Sequence, residues 1–234
     1  MARILLGTFP HAGHVNPFLP LVRALVARGH EVVWNTSAKL RERVEATGAR
    51  LAPFERARDF IDYDPQEFAP GKKLTGAASL KLATKHVFID NAPRHMQDLD
   101  AISRTFRPDM LLCDPGFIGA SWYHQRTGLP LAILNVLPMA LSSRDTPPSG
   151  IGLTPGKSPF ERVRNMALTW AIENVLFRDV QQHWNAVRAA TGLPPTGWFQ
   201  DTATDCELYI QPTVPSFEFP RSDLIPHAHF IGAM

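Results

Sequence analysis

Cysteine is nearly missing from this chain of 234 residues, which has 2, at positions 113 and 206. So few, so far apart, cannot make a disulfide framework, and no spacing has the form of a zinc site. That usage fits a reducing, cytoplasmic compartment. An excess of one charge is missing too. Lys+Arg number 24 against 22 Asp+Glu, and a net charge of +2 makes no electrostatic case for nucleic acid. Long apolar runs are absent. The longest candidate, 129–141, is interrupted by Pro130, Asn135 and Pro138, far short of the roughly 18 residues of a membrane span. The stretch Met1–Phe9 holds one arginine and is broken by Pro10, His11 and Gly13, with no small-residue cleavage site, so no targeting segment is read there. Asn35-Thr36-Ser37 has the form of a glycosylation sequon, which matters only in a secreted protein, and reads as a strand end. No internal repeat or low-complexity tract is visible.

What is present is a chain long enough for a sizeable core, with 44% hydrophobic residues. Two periodicities alternate. Residues 2–9 read as a buried strand. Phe18, Leu21, Val22, Leu25 and Val26 then recur at helical spacing, stopped by Gly29. Strand 30–36, a short polar helix 38–47 closed by Gly48, and strand 49–54 follow. The alternation returns as strand 109–113, helix 117–127 and strand 130–137, and the tail adds strands at 206–211 and 228–233. Between them lie a long loop, 55–76, a helical stretch 77–105 with a break expected at Pro93, a second long loop, 138–159, and the longest helical pattern, 160–190. Trp170, Ile172, Phe177 and Trp184 of that pattern read as core, or in part as lining for a pocket under the second loop. The expected fold is α/β: a doubly wound, mostly parallel, Rossmann-like sheet of about seven strands. Ligands in such folds sit outside the carboxyl ends of the strands, and long loops there are often functional.

Two features at that edge can carry chemistry. The turn Gly7–Pro17, joining the first strand to the first helix, lacks the dinucleotide spacing but holds His11 and His14. An imidazole there can take a proton at neutral pH without a large pKa shift. From these residues alone, a helix-start histidine bonded locally stands ahead of the chemical reading. A metal reading is weaker still, with no third ligand evident. Asp114 follows the buried strand 109–113 directly and could orient a histidine if the two strands are neighbours. It could equally cap helix 117–127.

Other look-alikes fall away. Gly152–Ser158 is one residue short of a P-loop and has no strand before it. Ser121 lacks the final glycine of a nucleophile elbow and falls inside a helix, which argues against a hydrolase. His227 and His229 flank the last strand as solvent or interface residues, and Cys113 and Cys206 read as core.

The segment GTFPHAGHVNPFLPLVRALVARGHEVVW (7–34) resembles the amino-terminal motif of family 1, UDP-glycosyltransferase-like enzymes, most of all the bacterial macrolide and antibiotic glycosyltransferases. The resemblance continues through RPDMLLCDPGFIGASWYHQRTGLPLAIL (107–134) and the closing AHFIGAM, and so covers essentially the whole chain. It implies one half of a GT-B fold, in which two Rossmann-like domains face across a cleft. Residues 1–234 would be the amino-terminal, acceptor-binding domain, without the carboxyl-terminal donor domain. The resemblance further implies inverting transfer of a sugar from a nucleotide sugar to a hydroxyl of a small apolar acceptor, with no cofactor and no metal. His14 matches the general base and Asp114 its supporting partner. His11, Phe9, Asn16, Phe117, Leu137 and Met139 are the expected acceptor-binding residues. A lone domain of this kind would expose the face meant for its partner, and self-association through that face is a further expectation. It would not transfer sugar alone. The rival readings are a non-catalytic small-molecule binding module and a natural half-enzyme needing a partner chain.

Overall fold

The computed structural model describes residues 1–156 and 158–234. Seven strands form one fully parallel sheet in the order β3-β2-β1-β4-β5-β6-β7. They are β1 (Arg3–Gly7), β2 (Glu31–Thr36), β3 (Arg50–Pro53), β4 (Met110–Cys113), β5 (Leu131–Leu134), β6 (Leu208–Gln211) and β7 (Ala228–Phe230). The helices are α1 (Ala12–Val15), α2 (Phe18–Ala27), α3 (Arg41–Glu45), α4 (Gly76–Ala83), α5 (Ala92–Phe106), α6 (Gly119–Thr127), α7 (Pro159–Ala171) and α8 (Arg178–Ala190).

The strands are apolar nearly throughout because helices cover both faces. Alternate residues serve opposite layers. Leu5, Val33, Leu111, Cys113, Ile133 and Tyr209 pack towards α5, α6 and α8. Ile4, Leu6, Val32, Trp34, Leu112, Ala132 and Leu134 pack with Phe18 and Val22 of α2 and Val44 of α3. Close packing of α5 against α6 requires Gly119, where a Cβ would lie 2.3 Å from His95 Cβ and 2.7 Å from Ala92 O. Gly29 and Gly48 end their helices at φ +82° and +87°, the left-handed conformation that glycine adopts without steric cost.

Several expectations need correction. Pro93 does not break the helical stretch. It occupies the first turn of α5, where a missing N–H costs nothing, and the chain turns at Asp90–Asn91 instead. The 160–190 pattern is two helices. α7 opens on a capping box, with Ser158 Oγ accepting from Glu161 N at 3.2 Å and Glu161 Oε2 accepting from Ser158 N at 3.0 Å. It ends in a π turn, Ile172–Leu176, and α8 starts after Phe177. A matching π turn, Thr84–Ile89, follows α4. Trp184 and Phe177 are core, but Trp170 is 63% exposed, and with Phe160, Val163 and Met166 it forms an apolar stripe on the outer side of α7. Cys113 is buried, while Cys206 is only half-buried and precedes its strand. Lys157 of the P-loop look-alike lies outside the described residues.

Candidate active site

The register brings β1 beside β4, pairing Gly7 with Cys113, so the turns after the two strands meet. Asp114 is fully buried, and its carboxylate is filled by neighbours. Oδ2 accepts from Phe9 N at 2.7 Å, and Oδ1 accepts from Gly116 N at 2.7 Å and lies 2.5 Å from His14 Nδ1. A carboxylate only accepts, so Nδ1 carries the imidazole proton and Nε2 holds the free lone pair. The two backbone donors fix the carboxylate, and the carboxylate fixes the ring. His14 keeps 18% of its side chain exposed, enough to meet a ligand. Burial pulls its pKa down, but the charge of Asp114 and the hydrogen bond to it pull harder, and the net direction is upward from 6.5. Asp114 does not cap α6, whose cap position is Ile118.

The surroundings are aromatic. The Phe9 ring lies 5.3 Å from the His14 ring, centre to centre, and 4.9 Å from Phe88. Gly116 admits this crowding: a Cβ there would lie 2.9 Å from Asp114 Oδ1, 3.1 Å from His14 Cε1 and 3.2 Å from the Phe88 ring. Phe88 arrives from the π turn after α4, which is pinned to α8. Asp90 accepts from His86 Nδ1 at 2.8 Å and from His183 Nε2 at 2.6 Å, while Lys81 and Lys85 both hold Asp179. Asp98 orders the start of the first long loop by accepting from the backbone N–H groups of Glu55, Arg56 and Ala57.

A larger space opens elsewhere on the molecule. A cavity of about 940 Å³ is lined by α4, residues 138–154, the end of α7 and its π turn, Trp198 and the 217–221 segment. That is the size of a drug-sized ligand site. Its floor is laced down. Glu218 accepts from Met139 N and from Gln211 Nε2, and Arg221 donates to Met139 O at 2.7 Å. His14 is not among its lining residues. Its lining takes up the chain at Pro138, after β5, and β5 lies two strands from β1, about 10 Å at the usual spacing of neighbouring strands.

The expected acceptor-binding residues are scattered by this geometry. Met139 lines the cavity. Phe9 is 3% exposed and packs on His14. His11 is half-buried, its Nε2 2.9 Å from Phe60 O in the first long loop. Asn16 and Leu137 are exposed, away from the cavity lining. Phe117 is a correction: it is fully buried, stacked on His95 at 4.1 Å beneath Gly7, where it supports the strands rather than meeting a ligand. Ser121 lies buried within α6. His229 is exposed on β7, and His227 Nε2 lies 3.0 Å from Thr204 O. Phe88, Glu173, Glu218 and Arg221 carry no local signature in the sequence; for the last three, the long loop at 138–159 and the apolar helical pattern after it point to their region. Among the described residues no three His, Cys, Asp or Glu side chains gather to hold a metal ion, and no helix is long and apolar enough to cross a membrane.

No family model matches the chain. Over 234 residues, 99% of this chain, it is 40% identical to the 4'-demethylrebeccamycin synthase of Lentzea aerocolonigenes, and covers 56% of that protein. That relative is a glycosyltransferase by name, and the chain is similar to it over nearly the whole of its own length. It is 27% identical to UDP-glycosyltransferase 2 of Phaeomoniella chlamydospora, covering 53% of it. The chain thus spans about half the length of the curated relatives it matches. Among solved structures, the glycotransferase of kitacinnamycin superposes with a TM-score of 0.68 at 21% identity, over 99% of this chain and 51% of that one. The fold is one half of the GT-B architecture.

Proposed function

We propose that residues 1–234 form the acceptor-binding half of an inverting glycosyltransferase. His14 acts as general base on an acceptor hydroxyl, and Asp114 is its positioning partner. The observation that carries this reading is the Asp114 carboxylate, held by two backbone N–H groups and set 2.5 Å from His14 Nδ1. That arrangement leaves Nε2 as the proton acceptor at the sheet edge where ligands of such folds sit. A hydroxyl becomes a competent nucleophile when a positioned base takes its proton in the transition state. The oxygen then attacks the anomeric carbon of a nucleotide sugar as the nucleoside diphosphate departs from the opposite face. Asp114 stabilises the imidazolium so formed without accepting its proton. The large, mostly apolar cavity suits an apolar acceptor, and because His14 is not among its lining residues the acceptor must be broad enough to extend from it to His14. The nucleotide sugar is assigned to a second domain, as in the two-domain enzymes of this family.

Calorimetric titration of the purified chain with apolar hydroxylated polycyclic compounds, and with UDP-glucose and TDP-glucose, tests the assignment. Saturable binding of acceptor-like compounds without nucleotide-sugar binding is the expected outcome. Tight binding of either nucleotide sugar would place the donor site in this half and remove the reading.

A further inference from the structure

α7 is built inside out. Phe160 is 79% exposed, Val163 64%, Met166 61% and Trp170 63%, whereas the one side chain that the helix buries outright is Asn165. Helices of a globular protein turn their apolar stripe to the core. This one turns it to water. The helix does not owe its place to that stripe. The Ser158–Glu161 capping box opens it, Arg162 Nη2 lies 2.8 Å from Asp145 Oδ1, and Arg164 Nη2 donates to Thr154 O at 3.2 Å and to Asn165 Oδ1 at 3.0 Å. The two arginines of α7 are therefore engaged within the chain, and what the outer face offers a partner is apolar.

The spacing of the stripe says what can cover it. Positions 160, 163, 167 and 170 follow the alternating three- and four-residue steps of a coiled-coil seam. They also read alike in both directions. Phe160 and Trp170 stand equally far from Asn165 along the chain, and so do Val163 and Ala167. A second α7 laid antiparallel at that level sets Phe160 against Trp170 of the second copy, and Val163 against Ala167 of the second copy, at both ends of the pair. Contacts that repeat when the copies are exchanged are what a two-fold interface requires. Aromatic pairs fill the ends, and the small central residues let the helix axes approach to the usual distance of about 8–10 Å. The area suits a dimer as well. The four exposed side chains leave on the order of 500 Å² of apolar surface in water, near the top of what monomers show. A specific interface takes about 800 Å² from each partner, and a polar rim makes up the difference.

We infer that the outer face of α7 is a homodimer interface, in which α7 pairs antiparallel with α7 of a second copy of this chain, about a two-fold axis at the level of Asn165. The dimer stands apart from the acceptor reading, since Phe160, Val163, Met166 and Trp170 do not line the cavity. Thr169 and Ile172, on either side of Trp170 in the chain, do line it. Pairing through Trp170 therefore braces one wall of the cavity from outside.

Sedimentation velocity of the purified chain from about 1 to 200 µM should show a monomer giving way to a dimer. Val163→Glu enters a two-fold interface twice and should weaken the dimer about a hundredfold or more, while unfolding of the dilute chain stays as in the wild type. Val163→Cys combined with Ala167→Cys should give a disulfide-linked dimer on oxidation, because those positions meet only in the antiparallel register; the wild-type chain, with Cys113 buried and Cys206 half-buried, is the control. A monomer throughout that range would overturn the inference. So would a dimer that Val163→Glu leaves intact, or a double-cysteine variant that does not link. A chain of the relatives' length that stays monomeric while residues 1–234 dimerise would give the stripe to the second domain and overturn it too.

Discussion

Two regions share the carboxyl edge of the sheet and are built on opposite rules. Over β1 and β4 the Asp114 carboxylate is fully partnered and the rings of Phe9, His14 and Phe88 touch, so the dyad has one geometry. Over β5 and β6 the floor is equally laced, but the space above it is wide and largely apolar. A group that must move a proton needs fixed distances; a site that must admit a bulky molecule needs volume. On the proposed function, chemistry and recognition fall to neighbouring parts of one sheet edge.

The comparison breaks most visibly at His14. In a chain of the relatives' length, His14→Ala should lower turnover about 100- to 10,000-fold while acceptor affinity changes little. Rates equal to the wild type would remove the base from His14. Asp114→Asn acts one step back. It leaves the ring but loses the partner that sets the tautomer, and it presents an amide where two backbone donors need an acceptor. Turnover should fall, urea denaturation should show a loss of about 1–3 kcal/mol, and the acid limb of the rate profile should move to lower pH. The sign follows from His14. Its folded pKa is raised by Asp114, and the base works only when neutral, so the wild-type rate should climb with pH through a point above 6.5.

Packing around the dyad offers a smaller perturbation. Gly116→Ala puts a methyl group 2.9 Å from Asp114 Oδ1 and 3.1 Å from His14 Cε1, and should cost about 1–3 kcal/mol in thermal or urea unfolding. The equivalent crowding is absent over β5, where Gly150 and Gly152 have open space around them.

Two histidines give the comparison a pH dimension. His95 is buried between Phe54 and Phe117, and burial pushes its pKa down to about 3. It folds neutral, so its contribution is present above pH 6.5 and is lost as pH falls towards 3. His14 works the other way. Its raised pKa stabilises the fold below 6.5, and that contribution is lost as pH rises through the folded value. NMR titration of the two rings should show opposite displacements; shifts of the same sign would contradict the site geometry.

The smallest effects belong to the outer side of α7. Trp170→Gln should change stability by no more than about 0.5 kcal/mol, whereas Trp184→Ala should cost about 3–5 kcal/mol. Both tryptophans fall in one continuous apolar pattern of the sequence. What separates them is the π turn and the break at Phe177, which no glycine or proline announces. Phe117 misled in the opposite sense. Its place just after Asp114 pointed to the ligand edge, but Gly7 leaves a gap in the sheet beneath the turn and the ring fills it.

The sequence alone determined the β-α-β rhythm, the glycines that end α2 and α3, and the placement of His14 and Asp114 at strand ends, because each depends on local backbone preference and on residues a few positions apart. Only the tertiary structure decided that β1 and β4 are neighbours, that Asp114 is caged, and that Trp170 faces outwards. Those outcomes depend on which groups meet across 100 or more residues of chain, and a partner that distant leaves no periodicity to read.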